Sequence, residues 1–221
     1  MKFFLLLIAA LWVSDSHAAN QRLSCHKAML YPEVEYELMQ QNPAKVRRLE
    51  EHTLEVKHAK GRKQFVDKPP HEALAGTHWF YCGYHAALKV HLIGHNVDSL
   101  FSGIILRHSD GKTFKAGHTI LMSPKGKKFL AIEQQSGLDG EDWTVYKLYG
   151  KKLWQGYGGI LSTPVKNEPV MVTAQFVDPS WLNEDVLEAD ISCADIIKGK
   201  AALKIGNINK AAPRWSLPSA C

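Results

Sequence analysis

No complete catalytic or nucleotide-binding motif occurs in this sequence. It has no Gly-x-Ser-x-Gly nucleophile elbow of the serine hydrolases. Gly111-Lys112-Thr113 matches the end of a phosphate-binding P-loop, but Leu106 occupies the position of the first glycine. His71-Glu72 begins like the zinc-protease motif His-Glu-x-x-His, but Ala75 replaces the second histidine. These absences argue against three large classes of enzyme.

Apolar runs of membrane-spanning length are also missing. The longest run, Phe3–Val13, is shorter than the ~20 residues that a spanning helix needs. It follows the positively charged Met1-Lys2 and precedes a polar, small-residue stretch, which is the order of a secretory signal. We therefore predict a signal peptide over residues 1–18, cleaved near Ala18. The mature protein is expected to be periplasmic or secreted, with no membrane insertion after cleavage.

Charge of one sign is not concentrated anywhere in the chain. Lysine and arginine number 27 against 22 acidic residues, which gives a net charge of +5. Lysine outnumbers arginine, and no basic stripe of the kind that binds nucleic acid is present, so no nucleic-acid partner is expected. The apolar fraction of 45% is ordinary for a folded domain. A single β-rich globular domain is predicted over residues 19–221.

The chain has four cysteines but no Cys-x-x-Cys pair, which argues against a zinc site. No metal and no cofactor are predicted. An even number of cysteines in an exported chain predicts two disulfides, and three pairings are possible. We favour Cys25–Cys82 and Cys193–Cys221, because the second would tie the C-terminus to the end of a strand.

The central part of the chain, residues 79–161, alternates apolar runs with turn residues at short spacing. Asp110-Gly111 is a strong hairpin signal. Connections this short require antiparallel neighbours, since a parallel crossover needs a dozen or more residues. The pattern predicts a β-meander with strands at about 79–93, 100–108, 113–122, 128–134, 142–149 and 152–157.

The flanking parts differ from this centre. Residues 19–75 are mixed, with a short helical segment interrupted at Pro43 and a hairpin of residues 54–58 and 63–66. Residues 165–221 are predicted to hold strands at about 170–177, 187–193 and 201–208, with a turn at 179–182. The fold class is therefore mainly all-β, an antiparallel meander that forms a sandwich, a barrel or a propeller-like assembly.

One short segment resembles a known structural element. Ser123–Ala131 is similar to the Ser-Pro-Asp-Gly-Lys strand-turn element of β-propeller blades, although Lys125 replaces the aspartate. The resemblance covers about nine residues and implies a strand, a tight turn and a second strand. It carries no functional residue with it.

Histidine is abundant, with eleven in the chain. His91 and His95 lie four residues apart, but four residues of strand span ~13 Å, too far for both to bind one ion. The spacing therefore predicts no metal site along this segment. Pairing of these histidines across strands with His108 or His118 remains open.

Successive turns of a meander lie at alternate ends of the sheet, which predicts a polarised surface. One end would hold the turns at Asp110-Gly111 and 137–140, with the acidic residues Asp139, Glu141 and Asp142. The other would hold the turns at 124–126 and 150, with the basic residues Lys127, Lys128, Lys151 and Lys152. Such a field steers the approach of a charged partner.

Export, disulfides, a rigid meander and the missing catalytic motifs favour a binding protein of the cell envelope. We expect a periplasmic inhibitor or an immunity-type protein that has no catalytic activity and binds another protein. One alternative is a glycan hydrolase that uses carboxylates of the Asp139–Asp142 loop. Another is a carbohydrate-binding module whose aromatic residues stack on sugars, so that glycan is the second expected partner.

Overall fold

The computed structural model describes residues 22–72, 75–134, 141–164, 171–193 and 196–205. These residues are mainly antiparallel β-structure, which confirms the predicted fold class. The predicted signal peptide and its cleavage site near Ala18 lie outside them. Within the described ranges, no helix is long and apolar enough to cross a membrane.

The described strands form three sheets. The N-terminal sheet contains β2 (Val46–Glu50), β3 (Thr53–His58) and β4 (Gly61–Val66). The middle sheet contains β5 (Thr77–His85), β6 (Val90–Val97), β7 (Leu100–Arg107) and β8 (Thr113–Ala116). The large sheet contains, in spatial order, β1 (Arg22–Ser24), β9 (Thr119–Met122), β10 (Lys128–Gln134), β11 (Glu141–Lys147), β12 (Lys152–Pro164), β13 (Met171–Asn183), β14 (Val186–Cys193) and β15 (Ile196–Lys204). The helices α1 (His26–Leu30) and α2 (Pro32–Gln40) follow β1.

Two of the predicted strands are wrong, because each is two strands. The segment 79–93 contains the β5–β6 hairpin, whose turn uses Lys89 at φ 52° and therefore has no glycine or proline to reveal it. The segment 113–122 contains β8 and β9, which belong to different sheets. Gly117 lies between them, where an added Cβ would come within 1.9 Å of the Ile132 carbonyl oxygen. The meander is thus two meanders joined at Gly117.

Further along the chain, the predicted turn at 179–182 is also wrong. β13 continues through it, with an irregular register between Val177 and Ser180 and Asp178 at φ 48°. A bulge of this kind accommodates Pro179, which cannot donate a ladder hydrogen bond.

The N-terminal hairpin is confirmed as β3 and β4, with Gly61 at a φ of 149°. The predicted break at Pro43 falls between the end of α2 and the start of β2. The strand-turn-strand expected around Ser123–Ala131 is formed by β9 and β10.

The middle sheet is covered on both faces, and the layers are sandwich-like. On one face, Tyr81 and Ile93 pack with Leu54 and Phe65 of the N-terminal sheet. On the other face, residues such as Leu92 pack against the large sheet, including Ile120, Met122 and Phe129. The described sheets are open layers rather than a closed barrel or propeller blades, so the sandwich is the correct choice among the predicted assemblies.

The large sheet also buries both of its faces around β10. Phe129 and Ala131 point toward the middle sheet, whereas Leu130 and Ile132 join a second core with the distal strands β13–β15. That second core includes Leu187, Ile191 and Leu203. Burial on both faces explains why β10 is a continuous apolar run without polar alternation.

A disulfide links the start of α1 to the middle sheet. Cys25 and Cys82 are bonded, with their Cα atoms 4.7 Å apart, and both side chains are buried. This confirms the first predicted pair. For the second pair, Cys221 and the side chain of Cys193 lie outside what the structure describes.

Candidate functional site

The predicted acidic residues lie at one end of the β10–β11 hairpin. Glu141 and Asp142 open β11, where Glu141 is directly opposite Gln134 and Asp142 is directly opposite Glu133. Adjacent residues of a strand point to opposite faces, so the two carboxylates face different surroundings. Asp139 lies outside the described residues.

The predicted basic residues lie at the other end of the same hairpin. The backbone N–H of Leu148 donates to the carbonyl oxygen of Lys127 (2.9 Å), which brings the turns before β10 and before β12 together. Lys127, Lys151 and Lys152 are exposed there.

Lys128 differs from Lys152, which donates to the amide oxygen of Gln155, because the ammonium group of Lys128 pairs with a carboxylate. It forms an ion pair with Asp185 and donates to the carbonyl oxygen of Glu184 (3.1 Å). The Glu184 carboxylate in turn accepts from Ser123 Oγ and from the backbone N–H of Lys125, each at 2.9 Å. The β13–β14 turn therefore adds acidic groups to the predicted basic end, which the sequence did not reveal because the turn is distant in the chain.

Asp110 is not at the acidic end, contrary to the single-meander prediction. It belongs to the β7–β8 turn of the middle sheet and accepts two hydrogen bonds from Arg107, at 2.8 and 2.6 Å. The Arg107 guanidinium lies over the ring of Tyr149, 4.6 Å from its centroid, in the turn before β12. Asp110 is therefore beside the turn of Gly150, at the end that holds the lysines.

A cavity of about 300 Å³ opens beside Glu141, and we call it the Glu141 cavity. Helix α1, β7, β10, β11 and the residue before β9 supply its walls. Its lining residues are His26, Met29, Leu30, Phe101, His118, Gln134 and Glu141. Among these there is one carboxylate and neither lysine nor arginine.

A larger cavity of about 620 Å³ adjoins the first and shares three of its lining residues, namely His26, His118 and Glu141. Its other walls include Val34 and Leu38 of α2, and it also contains two basic residues, Arg22 and Lys27. Volumes of this size are typical of ligand pockets.

Two of the residues that line the Glu141 cavity are neighbours across the β10–β11 hairpin. Gln134 and Glu141 are directly opposite on β10 and β11, so their side chains share one face of the hairpin, with Cβ atoms ~5 Å apart. Gln134 Oε1 is buried and has no hydrogen-bond partner among the described residues. Glu141 Oε2 accepts from the indole N–H of Trp143 at 2.9 Å, which fixes the direction of the carboxylate.

His118 adds a neutral wall to the same cavity. Burial, together with the nearby His26 and Arg22, lowers its pKa to about 4, so the ring is uncharged at neutral pH. Its Nδ1 lies 3.1 Å from Thr119 Oγ1, which is 2.7 Å from Ser24 Oγ. The charge of Glu141 is thus not offset by this histidine.

A second group of histidines lies in the middle sheet. His91 is fully buried, and burial lowers its pKa to about 3, with repulsion from neighbouring cations adding to the effect. Its two ring nitrogens are 3.3 Å from the Tyr81 hydroxyl and 3.4 Å from His108 Nδ1. His95 instead stacks on Trp79. In the described part of the chain, no group of three or more histidine, cysteine or acidic residues has a metal-binding arrangement.

No protein-family model matches this chain, no curated protein matches it, and no solved structure matches it. What the protein does must therefore be inferred from the residues themselves.

Sequence reasoning found Glu141 but missed the residues that surround it. Of these residues, Gln134 could have been found from the sequence, because a hairpin that closes at 137–140 makes it the partner of Glu141. His26, Phe101 and His118 come from three elements that only the layered fold brings together. Nothing in their local sequence indicates that they meet.

Proposed function

We propose that this chain is an exported protein of the cell envelope that has no catalytic activity and acts by binding another protein, as an inhibitor or an immunity-type protein. The observation that carries the proposal is an exposed apolar surface that continues into the Glu141 cavity. Leu30 and Tyr31, which we call the α1 ledge, are each 52% exposed. Leu30 also lines the Glu141 cavity. Exposed apolar groups next to a pocket are typical of interaction sites.

The α1 ledge is held on a rigid base, which favours binding because little order has to be gained. The Cys25–Cys82 disulfide fixes the residue before α1 to β5. The backbone N–H of Cys25 donates to the carbonyl oxygen of His118 at 2.7 Å. A disulfide at this position is also compatible with the oxidising compartment that the signal peptide predicts.

The placement of Glu141 and Asp142 argues against these two residues as the carboxyl pair of a glycosidase. A glycosidase needs two carboxyl groups on either side of one bond. Glu141 and Asp142 are neighbours in a strand and face opposite ways. Two of the aromatic residues, Trp143 and Tyr81, are also too deeply buried to stack on a sugar, since they are 1% and 0% exposed, respectively.

The test of this proposal compares binding by matched surface variants. The exported protein is immobilised and incubated with envelope extract, in the wild-type form and as Leu30→Glu/Tyr31→Glu. We expect one protein to be retained by the wild type and its retention to fall at least tenfold in the double variant. Leu182→Glu is the control, because Leu182 is 56% exposed but near the β13–β14 turn. Equal retention by all three proteins would refute the proposal.

We further propose that the three exposed lysines at the opposite end, Lys127, Lys151 and Lys152, steer the approach of the partner. Reversing Lys127, Lys151 and Lys152 to glutamate should slow association severalfold and flatten its dependence on salt. The free energy of unfolding should change by no more than about 0.5 kcal/mol, as is usual for exposed positions. Association rates measured at two salt concentrations test the steering, and urea unfolding tests the stability.

Lys128→Glu is the matched comparison for that triple variant. It changes the charge at the same end, but it also breaks the ion pair with Asp185. Lys128→Glu should therefore lower the melting temperature, whereas the triple variant should not. An unchanged association rate in the triple variant would show that these lysines only keep the surface solvated.

A further inference from the structure

Strand β1 is an edge of the large sheet, and its outer side has no neighbour among the described strands. Its three residues pair antiparallel with β9. The backbone N–H of Cys25 donates to the carbonyl oxygen of His118 at 2.7 Å, which continues the same register by one pair. Hydrogen-bonded and non-hydrogen-bonded pairs alternate along such a ladder. Leu23 therefore bonds to β9, whereas Arg22 and Ser24 direct their N–H and C=O groups away from it.

These outward backbone groups have no partner in the described part of the chain. No described residue donates to or accepts from the N–H and C=O groups of Arg22 and Ser24 on this side. An unpaired strand edge is a template for pairing with another chain. Addition of an extended peptide to such an edge is a recurring mode of recognition, in which main-chain hydrogen bonds supply the affinity.

The larger cavity, which we call the β1 trough, lies along this edge. Arg22, Leu23 and Ser24 all line it, and so do Val34 and Leu38 of α2. Adjacent residues of a strand point to opposite faces, so a cavity that touches all three lies around the edge of β1 rather than over one face. The spacings of β-structure give a strand residue ~160 Å³, so that the trough of about 620 Å³ has room for about four residues.

The side chains that line the β1 trough indicate the chemistry of the added strand. Two exposed cations, Arg22 and Lys27, line it, and neither forms an ion pair with a carboxylate among the described residues. Glu141 is the one carboxylate in the lining. The excess of positive charge favours acidic side chains on the occupant, while Val34 and Leu38 favour apolar ones. An extended segment presents both kinds by alternation.

We propose that the β1 trough receives an extended segment of the protein partner, which adds a strand to the large sheet at β1 and directs acidic side chains toward Arg22 and Lys27. The inference rests on the proposed function for the identity of the occupant. The trough shares His26 and His118 with the Glu141 cavity, which Leu30 also lines. The α1 ledge and the trough are therefore parts of one continuous surface.

The test titrates the full exported protein with the blocked peptide acetyl-Thr-Val-Glu-Val-Glu-Val-Thr-amide, followed by amide NMR. A peptide with lysine in place of both glutamates should bind severalfold more weakly, because Arg22 and Lys27 repel it. No binding of the glutamate peptide, or equal binding of the two, would overturn the proposal.

Two N-methylated forms of the glutamate peptide test strand pairing itself. One form carries N-methyl groups on the two glutamates and the other on the two valines that precede them. Alternate N–H groups of a strand point to opposite edges, and only one edge of the peptide faces β1. One form should therefore bind at least tenfold more weakly than the other, whereas equal binding of both forms would contradict strand addition.

Ser24→Pro and Ser24→Ala form a matched pair of variants. Both lose the contact between Ser24 Oγ and Thr119 Oγ1, but only proline removes the outward N–H. Proline is tolerated at edge positions whose N–H faces solvent, so the two melting temperatures should be similar. Ser24→Pro should bind the glutamate peptide at least tenfold more weakly than Ser24→Ala. Equal affinities would show that the edge of β1 takes no part in binding.

Amide hydrogen exchange in the wild type gives a result that needs no variant. The Ser24 amide should exchange rapidly in the free protein and become protected when the glutamate peptide is bound. The Leu23 amide, which bonds to β9, should be protected in both states. Protection of Ser24 in the free protein would show that the chain itself or a second copy occupies the edge, and the assignment to a partner would be wrong.

The two proposals fail in distinguishable ways. If Ser24→Pro retains the envelope partner as well as Ser24→Ala does, while the α1 ledge variant loses it, the protein-binding function stands and strand addition is wrong. If no partner is retained but the glutamate peptide binds and protects Ser24, the trough takes free peptides and the protein-binding proposal is wrong.

Discussion

Replacement of Arg48 by alanine is expected to lower the free energy of unfolding by about 3–5 kcal/mol, the usual cost of breaking a buried ion pair. Arg48 Nη2 lies 3.0 Å from Glu35 Oε1 and donates to the carbonyl oxygen of Trp79. Its Nη1 lies 3.7 Å from Asp67 Oδ2. One guanidinium therefore contacts two buried carboxylates.

These contacts join three parts of the fold. Glu35 is on α2 and accepts from the backbone N–H of Tyr81 at 2.8 Å, while Asp67 follows β4 and accepts from Trp79 at the same distance. Burial raises the pKa of Glu35 despite the lowering effect of Arg48, so its charge depends on this partner. Without Arg48, β2 loses these polar contacts with α2 and with β5.

Arg47→Ala is the matched control, because Arg47 is the preceding residue and also pairs with a glutamate. It is 55% exposed, and its partner Glu55 is also contacted by Arg62 and Gln64. The loss of stability should be much smaller, as for most exposed ion pairs. Urea unfolding of the wild type, Arg47→Ala and Arg48→Ala measures both losses of stability. Equal losses in Arg47→Ala and Arg48→Ala would show that the buried ion pairs stabilise the fold no more than the exposed one.

Acidification is expected to destabilise the folded protein at pH values well above those at which carboxylates usually titrate. Burial lowers the pKa of His91 to about 3 and that of His118 to about 4, from an ordinary value of 6.5. The unfolded chain therefore binds more protons than the folded chain as the pH falls from about 6.5 toward these values. Stability is full above pH 6.5 and decreases below it.

Between pH 7 and pH 5, each of these histidines should contribute about 2 kcal/mol to the loss, from the linkage relation. The lowered pKa values of His85, His95 and His108 act in the same direction. Glu35 acts in the opposite direction, because its raised pKa favours proton uptake by the folded state.

The measurement is urea unfolding of wild type, His91→Gln and His118→Gln at pH 7 and pH 5. Each variant should show a smaller difference between the two pH values than the wild type, because one titrating group has been removed. Glutamine retains hydrogen-bonding capacity at each position. An identical pH dependence in all three proteins would show that neither histidine is held neutral by the fold.

The antiparallel class was predictable because short turns and apolar strands are local signals. The layers were not, because strands buried on both faces, such as β10, lack the alternation that assigns each side chain to a layer. The turn of β5 and β6 was hidden because Lys89 rather than glycine adopts the positive φ. The crossing at Gly117 depends on its close approach to Ile132, far along the chain.

The candidate site was predictable only in part, for the same reason. Glu141 stood out as one of a group of acidic residues, and its hairpin partner Gln134 followed from the turn. Lys128 and Asp110 were predicted to be free surface charges, but each forms an ion pair, Lys128 with Asp185 and Asp110 with Arg107. Only the fold shows that Lys128 is paired across the large sheet.

Crosslinking in the native envelope tests the protein-binding account most directly. A photoreactive phenylalanine analogue is placed at Tyr31 in one form of the full chain and at Leu182 in another; both positions are more than half exposed. Irradiation should join one discrete protein to the form labelled at position 31 and not to the form labelled at position 182. The absence of a discrete product at position 31, or the same product from both positions, would contradict binding through the α1 ledge.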